Sequence, residues 1–184
     1  MKPPVETGDI LIAPITLQDG NFMQSVVLIC EHDQERGSYG LILNRPIHTV
    51  PGFLREFPGI ENNLFQGGPV RTEVMQVLHP YGELLPGSLE LLSGVWMGGD
   101  AEILQVGLES GQFVADECRF LLGYAGWSQG QLNAEFEVDA WLVARADTEL
   151  VLRTPPEIMW SRAIRRLSQS HPIFGNFPDQ PGNN

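Results

Sequence analysis

The chain has few basic residues. Among 184 residues it holds 11 Lys and Arg against 23 Asp and Glu, a formal net charge of −12 at pH 7, and Lys2 is the only lysine. Such a surface repels phosphate backbones and anionic lipids, so the composition argues against binding to nucleic acids or membranes by net charge. A DNA-binding role would need a local cluster of cations.

Cysteines and long apolar runs are also scarce. Cys30 and Cys118 lie too far apart to indicate a disulfide framework or a paired metal motif. No apolar run approaches the roughly 20 residues that a membrane-spanning helix needs. Met1–Asp9 carries Pro3 and Glu6 where a signal peptide needs a basic start and an apolar stretch. We therefore expect a cytoplasmic protein with reduced, buried cysteines.

The remaining composition suits one folded domain. Hydrophobic residues make up 42% of the chain, and its length is close to the ~150 residues of a typical domain. Strands and helices are mixed without a regular βαβ alternation, which favours an α+β fold over a doubly wound parallel sheet. We predict one α+β domain at residues 1–168 and an extended or mobile C-terminal tail at residues 169–184.

Alternation of apolar residues predicts the strands. Residues 24–32 are apolar on both faces, which predicts a central strand. We also predict one short helix within Val50–Phe57 and a single strand over Ser88–Met97. The other predicted strands are Asp9–Ala13, Tyr39–Asn44, Leu64–Gln66, Val74–His79, Cys118–Tyr124 and Ala140–Ala144.

Three helices have start signals. Asp100 is placed to cap a helix that stops at Gly111. Ser128 with Gln131 matches a capping box, and Thr154 with two prolines and a glutamate predicts the last helix. This last helix presents an apolar face of four residues, Trp160, Ala163, Ile164 and Leu167.

Charge is unevenly distributed along the chain. Residues 83–149 hold twelve acids and two arginines, a net charge of −10, whereas residues 150–170 hold four arginines and one glutamate, a net charge of +3. Arg162, Arg165 and Arg166 of the last helix are therefore candidate contacts to a partner, with a solvated helix face as the alternative.

Residues 126–130 match the G-x-S-x-G pattern of a nucleophile elbow around Ser128. A triad in that order needs an acid and then a histidine further on, and only His171, in the predicted tail, follows. We favour a helix-cap role for Ser128. Cys30 and His32 share a strand face and suggest zinc only weakly, so we favour a hydrogen-bonded His32 and assign neither catalytic nor metal residues.

Two glycine-containing segments invite a ligand interpretation. Gly67-Gly68-Pro69 can expose N–H groups as an anion-binding nest or allow a tight crossing between strands, which we favour. Tyr124, Gly126 and Trp127 combine a close backbone approach with large aromatic rings. They suit either a ligand wall or core packing.

Over residues 8–168 the sequence resembles the AlgH/YqgE family of small bacterial proteins. Five ordered groups of residues carry the resemblance. They are Gly8-Asp9 with Leu11-Ile12-Ala13-Pro14; Phe22 with Ser25-Val26-Val27 and Glu31-His32; Gly40-Leu41 with Asn44-Arg45-Pro46; Gly67-Gly68-Pro69-Val70 with Leu78-His79; and Gly123-Tyr124-Ala125-Gly126-Trp127 with Gly130-Gln131-Leu132, Glu135 and Ala140-Trp141-Leu142.

The resemblance implies a compact α+β domain with a mixed, mostly antiparallel curved sheet and flanking helices. It supplies no established reaction, although some members are labelled transcriptional regulators. The family pattern accepts several residue types at Ser128, which is incompatible with an obligatory nucleophile. This chain departs from the pattern between His32 and Gly40, where Asp33–Tyr39 is longer and more charged.

Seven residues on motif positions form our candidate ligand site. They are Asn44, Arg45, Gly67, Gly68, Pro69, His79 and Gln131. We hypothesise that some of them converge on one surface cleft, where Arg45 and glycine N–H groups bind an anion or a carboxylate.

We expect a cytoplasmic binding or regulatory protein without a metal or organic cofactor. We expect its partner to be an unidentified protein or small molecule. We expect no membrane binding and, because of the net charge, no nucleic-acid binding. The oligomeric state stays open. One alternative is a small-molecule enzyme that uses Asn44, Arg45, Gly68 and His79. The other is a transcriptional regulator that contacts DNA through its C-terminal arginine helix.

Overall fold

The computed structural model describes residues 5–55 and 57–170. This part of the chain forms nine strands and three α-helices. The strands are β1 Asp9–Ile12, β2 Val26–Asp33, β3 Gly37–Ile42, β4 Leu64–Gln66, β5 Val70–His79, β6 Ser88–Leu92, β7 Val95–Gly98, β8 Arg119–Trp127 and β9 Leu142–Arg145; the helices are α1 Ala101–Ser110, α2 Gln131–Glu137 and α3 Pro156–Ser170. One π-helical turn, Glu149–Arg153, precedes α3.

The strands form one sheet that curls into a half-barrel. Across the sheet the order is β6-β7-β5-β8-β3-β2-β1-β9, with antiparallel neighbours throughout. β4 stands outside this order and pairs with β8 in parallel. The α+β class with a mixed, mostly antiparallel curved sheet is confirmed, and the doubly wound parallel alternative is excluded.

β8 lies at the middle of this sheet and pairs with three strands. β5 runs along one edge of β8, while β3 and β4 share the other edge. β3 takes the C-terminal end, where Tyr39 lies opposite Gly126, and β4 takes the N-terminal end, where Leu64 lies opposite Phe120. Both edges of β8 are therefore hydrogen-bonded, which fixes it between two halves of the sheet.

The sheet is apolar on both faces. On one face, α3 packs Met159, Ala163 and Leu167 into a core that includes Leu41 and Leu121. A second core joins α1 to the opposite face of β8, and a third joins α2 to β1, β2 and the end of β8. Burial on both faces explains the continuous apolar run in β2, and its predicted central position is confirmed.

Some local predictions were wrong. The short helix predicted within Val50–Phe57 is, among the described residues of that segment, a 3-10 turn at Gly52–Leu54. The predicted strand over Ser88–Met97 is a hairpin, because Gly94, with φ of +77°, turns the chain between β6 and β7. A left-handed glycine inside an apolar run is a turn signal that the alternation obscured.

The predictions of where helices start were also partly right and partly wrong. Asp100 caps α1 by accepting from the N–H groups of Glu102 and Ile103, and Gly111 ends it at φ of +75°, as predicted. Gly130, rather than Ser128, is the N-cap residue of α2. The Thr154 hydroxyl donates to the carbonyl of Glu149, the first residue of the π-helical turn. The sequence did not predict this turn.

The proposed boundary at residue 168 stays a prediction. α3 continues to Ser170, and residues 171–184, which make up most of the predicted tail, lie outside the described residues.

Candidate ligand groove and the predicted site residues

A groove of about 460 Å³ lies where β3, β8 and β5 run side by side. This volume falls in the range of sites for small molecules. We call it the β8 groove. Its lining residues are Glu31, Arg36, Gly37, Ser38, Tyr39, Val70, Gln76, Tyr124, Gly126 and Trp127.

Two half-buried tyrosines form the aromatic part of the β8 groove. The rings of Tyr39 and Tyr124 meet edge to face, with their centroids 5.8 Å apart. The Tyr39 hydroxyl donates to the Met97 sulfur at 3.4 Å. Burial raises the pKa of Tyr39 well above that of a free phenol, so its hydroxyl stays protonated at physiological pH.

Gly126 leaves the floor of the β8 groove open. It lies between Tyr124 and Trp127 on β8 and is exposed. A Cβ atom at this position would meet only the ring of Tyr124, with Cε2 at 3.3 Å. The missing side chain therefore creates space beside an aromatic wall.

Two polar groups of the β8 groove have no protein partner within the described residues. They are the side-chain amide of Gln76 and the hydroxyl of Tyr124, neither of which makes a hydrogen bond to residues 5–55 or 57–170. Polar groups near a cavity are normally satisfied by protein, water or ligand. These two are therefore available to a bound molecule.

Glu31 and Arg36 are the charged residues that line the β8 groove. Arg36 pairs with Asp33 at 2.8 Å and with Glu31 at 3.6 Å, so one cation faces two carboxylates. Hydrogen bonds from the backbone and side chain of Arg36, and from the backbone of Glu35, lower the pKa of Asp33 to about 2. Arg36 is thus already occupied by carboxylates and is a poor receptor for a second anion.

The side chains of Asn44 and Arg45 form hydrogen bonds to the backbone of the loop that leads into β2 and of its first residue. The Asn44 side chain accepts from the Val26 N–H at 2.9 Å and donates to the Gln24 carbonyl at 2.9 Å. Arg45 Nη2 donates to the Met23 carbonyl at 2.5 Å. The side chains of Asn44 and Arg45, which we predicted to bind an anion, therefore bond to the backbone of the protein itself.

Gly67 and Gly68 make a tight crossing against β8, in agreement with the favoured interpretation. The Gly67 N–H donates to the Leu122 carbonyl at 2.7 Å, and the Gly67 carbonyl accepts from the Ile42 N–H at 2.8 Å. A Cβ atom at Gly68 would overlap the carbonyl group of Tyr124. The backbone of Arg45 is adjacent, because its carbonyl accepts from the Gln66 N–H at 2.8 Å. Pro69, the third residue of this motif, is exposed.

His79 belongs to a different network at the far end of β5. Its ring is fully buried, with Nε2 3.2 Å from the Gly98 carbonyl and 3.1 Å from the Ser88 hydroxyl, and Nδ1 accepts from the Tyr81 N–H. Burial lowers the pKa of His79, so the neutral ring is favoured. His79 does not line the β8 groove.

Gln131 holds the turn between β8 and α2. Its Oε1 accepts from the N–H and the hydroxyl of Ser128, and its Nε2 donates to Glu135 at 3.0 Å. Glu135 in turn accepts from the indole N–H groups of Trp127 at 2.9 Å and Trp141 at 2.7 Å. The motif residues of this region therefore form one polar framework around two buried tryptophans.

The elbow match at Ser128 has no catalytic partner within the described residues, where its hydroxyl bonds only to Gln131. His171 lies outside them. His32 Nδ1 lies 2.7 Å from the Ser38 hydroxyl, which confirms a hydrogen-bonded histidine. Residues 5–55 and 57–170 contain no group of three or more His, Cys, Asp or Glu that could hold a metal ion. Burial raises the pKa of Cys118 to about 12 and that of Cys30 further, so both thiols stay protonated.

Two of the three helix arginines are engaged by acids of the segment before α3. Arg166 pairs with Asp147 at 2.5 Å, and Arg162 lies 3.7 Å from Glu149 and 3.2 Å from the Thr154 hydroxyl. Arg165 is exposed. The positive charge that the sequence concentrates in α3 is therefore partly neutralised in place.

Tyr39 and Gln76 were missed as site residues by the sequence reasoning. The sequence suggests Tyr124, Gly126 and Trp127 as a ligand wall or as core packing, and all three line the β8 groove. Gln76 carries a usable signal, because it follows Val74 and precedes Leu78 on the apolar side of β5. A polar residue on an apolar strand face marks a place where something polar must bind it.

Arg119 is another residue whose role the sequence did not predict, and no local sequence pattern points to that role. It is only 4% exposed and donates to the carbonyls of Val151, Leu43 and Thr154. Burial lowers the pKa of its guanidinium to about 10, and the ring of Phe65 lies 4.7 Å from it. Arg119 thus ties the π-helical turn to the sheet, a role that depends on contacts distant in sequence.

Among the described residues, no helix has the length and apolar character to cross a membrane.

Comparison with known proteins identifies the family. A family model described as AlgH-like matches residues 10–172. UPF0301 proteins from Pelodictyon phaeoclathratiforme and Chlorobaculum tepidum are 40% and 41% identical to this chain over 181 residues, covering 98% of it and 96% of each relative.

Two solved structures share the fold. The solution structure of the AlgH protein from Pseudomonas aeruginosa matches over all of both chains, with a TM-score of 0.72 and 32% identity. A crystal structure of a protein from Corynebacterium diphtheriae matches 96% of this chain and 95% of its own, with a TM-score of 0.71 and 21% identity, which speaks to the fold alone. With its half-barrel sheet and its match to the family model over nearly the whole chain, this protein belongs to the AlgH-like family.

Proposed function

We propose that this protein is a cytoplasmic binding protein, with a regulatory role exerted through a small molecule held in the β8 groove. The observation that carries the proposal is the open floor at Gly126 beside Tyr39 and Tyr124, on the same groove as the Gln76 amide, which has no hydrogen-bond partner in the described part of the chain. An apolar wall with a few convergent polar groups is the usual composition of a small-molecule site. The two free, protonated cysteines are in keeping with a reducing compartment.

The enzyme alternative has less support. It required a polar cleft that contains His79, and His79 is instead bonded to Gly98, Tyr81 and Ser88 away from the groove. Nucleophilic catalysis requires a base oriented against the nucleophile. Neither Asn44 nor Arg45 offers such a group, because both serve the loop before β2.

A fragment titration followed by ¹H–¹⁵N NMR tests the proposal. Small aromatic fragments, such as benzyl alcohol, should shift the amide signals of Tyr39, Tyr124 and Gly126. Gly126→Val fills the floor and should abolish these shifts, since a β-branched residue fits a strand while its methyl groups occupy the groove. Gly20→Val, at a position with nothing within 4 Å of a Cβ atom, is the matched control and should leave them unchanged. Shifts that persist in Gly126→Val, or that map elsewhere, would exclude the β8 groove as the site.

A further inference from the structure

Gln76 is a half-buried polar residue on the part of β5 that becomes buried on both faces. On β5 it is followed on the same face by Leu78, which is fully buried, and it pairs across the sheet with Leu121, which is also fully buried. Its own side chain is half-buried at the β8 groove and makes no hydrogen bond to the described residues. An amide without a protein partner on an apolar face is explained when a ligand supplies the missing bonds.

The amide of Gln76 has a specific bonding pattern. It presents one carbonyl acceptor and one NH₂ donor side by side in a plane. A ligand edge that places an acceptor next to a donor pairs with it through two hydrogen bonds, as Gln pairs with the edge of adenine. The hydroxyl of Tyr124 adds a third polar group at the same groove.

The walls favour a planar ligand. Tyr39 and Tyr124 present two half-buried rings 5.8 Å apart, and Gly126 leaves room beside the second ring. Unstacked heteroaromatic rings bind proteins by packing on such side chains while their edges form hydrogen bonds. The volume of about 460 Å³ accommodates a nucleoside-sized molecule and is small for a folded partner segment.

The charges exclude a strongly anionic ligand. Glu31 and Arg36 line the groove, Arg36 is also paired with Asp33 outside the lining, and the chain as a whole has a net charge of −12. A phosphate near these residues would approach two carboxylates with no unpaired cation beside them, which is unfavourable at low ionic strength.

We infer that the β8 groove binds an uncharged nucleobase or nucleoside, whose base packs beside Tyr39 and Tyr124 and pairs through its donor–acceptor edge with the Gln76 amide. This inference rests on the proposed function and names the ligand class of the same site. It involves no covalent step.

Calorimetric titration with adenosine, AMP and benzyl alcohol tests the inference. Adenosine should bind the unmodified protein, and Gln76→Leu should weaken it about ten-fold, the order expected for a lost bidentate pair. Benzyl alcohol, which lacks the donor–acceptor edge, should bind both proteins equally. AMP should bind more weakly than adenosine at low salt, and the difference should narrow as salt is added.

The control is Gln105→Leu, the same substitution on α1, where the amide donates to Glu109 on the helix surface. Equal thermal unfolding midpoints for the variants establish that they are folded. Adenosine binding that is unaffected by Gln76→Leu, or AMP binding tighter than adenosine, would overturn the ligand class. Binding of benzyl alcohol alone, sensitive to Gly126→Val, would overturn the ligand class but leave the proposed function intact. If none of the three ligands binds, both are wrong.

Discussion

Glu135 accepts hydrogen bonds from the indole groups of two tryptophans and from the amide of Gln131. Trp127 and Trp141 are only 6% and 3% exposed, so both indole rings are buried. A buried donor that loses its acceptor pays its full desolvation cost. Gln131, one of the predicted site residues, is therefore explained by its bond to Glu135 and by the packing of α2 against β8.

The substitution Glu135→Ala should lower the unfolding free energy by about 2–4 kcal/mol, because it leaves two buried indole donors unpaired. Urea denaturation followed by tryptophan fluorescence measures this change. Glu137→Ala, on the exposed side of the same helix, is the control and should change stability by less than about 0.5 kcal/mol. Equal effects of the two substitutions would mean that the Glu135 bonds add nothing to stability.

His79 makes stability depend on pH. Because burial lowers its pKa in the folded protein below the ordinary 6.5, the unfolded chain binds more protons in this range. The stabilising contribution of the neutral ring is complete above pH 6.5 and is lost as pH falls from there through the folded pKa.

We expect the unfolding free energy to fall between pH 7 and pH 5 more steeply for the unmodified protein than for His79→Asn. The difference in slope should be at most about 1.4 kcal/mol per pH unit, the value for one proton. Denaturation curves at several pH values measure it. The other histidines are the same in both proteins and cancel in the comparison, so parallel slopes would contradict this assignment of His79.

At the scale of elements, β8 organises both the sheet and the groove. Gly68 and Gly123 approach each other across this strand, since a Cβ atom at Gly123 would lie 2.6 Å from the Gly68 carbonyl oxygen. Gly123 adopts φ of +71°, a conformation that side chains with Cβ atoms disfavour. In this stretch the pairing of β5 with β8 shifts register, and Tyr124 packs against the core that contains Leu121, although the two residues would lie on opposite sides of a regular strand.

Gly68→Ala should therefore destabilise the protein by more than about 3 kcal/mol or prevent folding, because its Cβ atom overlaps backbone that cannot move aside. Gly52→Ala, with nothing within 4 Å of its Cβ position, should have little effect. Thermal unfolding and the yield of folded protein measure the contrast. A folded Gly68→Ala protein with unchanged stability would show that the crossing is not tight.

The elements differ in how well the sequence predicted them. Asp100 and Gly111 delimit α1 through local geometry, so both ends of this helix were predictable. The π-helical turn Glu149–Arg153 was not, because its carbonyls depend on Arg119, a residue from a different part of the chain. Of the residues that line the groove, the sequence pointed only to Tyr124, Gly126 and Trp127 of β8, since its other wall comes from β3 and β5.

The molecule as a whole has a net charge of −12, and arginines among its few basic residues form ion pairs with acidic residues. Arg145 bonds to Glu6 at 2.7 Å and to Asp9 at 2.9 Å, and Arg166 bonds to Asp147. Asp9 is almost fully buried, and burial raises its pKa despite Arg145. The charges of Arg145 and Arg166 are thus partly neutralised by acidic residues within the fold.

We expect no binding to DNA even at low salt. A fluorescently labelled duplex of random sequence, titrated with the protein at about 50 mM salt, should show no change in anisotropy, because proteins bind DNA non-specifically by releasing counterions at cationic contacts. Arg165→Glu, at the exposed position of α3, serves as a comparison. Salt-dependent binding that this substitution abolishes would restore the regulator alternative.

The sequence by itself determined the α+β class, the family, the central position of β2, the ends of α1 and the acidic surface, because each follows from residues that are near one another in the chain or from composition. Only the tertiary structure decided that Asn44, Gln131 and His79 hold the fold together, and that Tyr39, Gln76 and Tyr124 share a groove. The physical reason is that hydrogen-bond partners and cavity walls come from strands that are distant in sequence and adjacent only in the curled sheet.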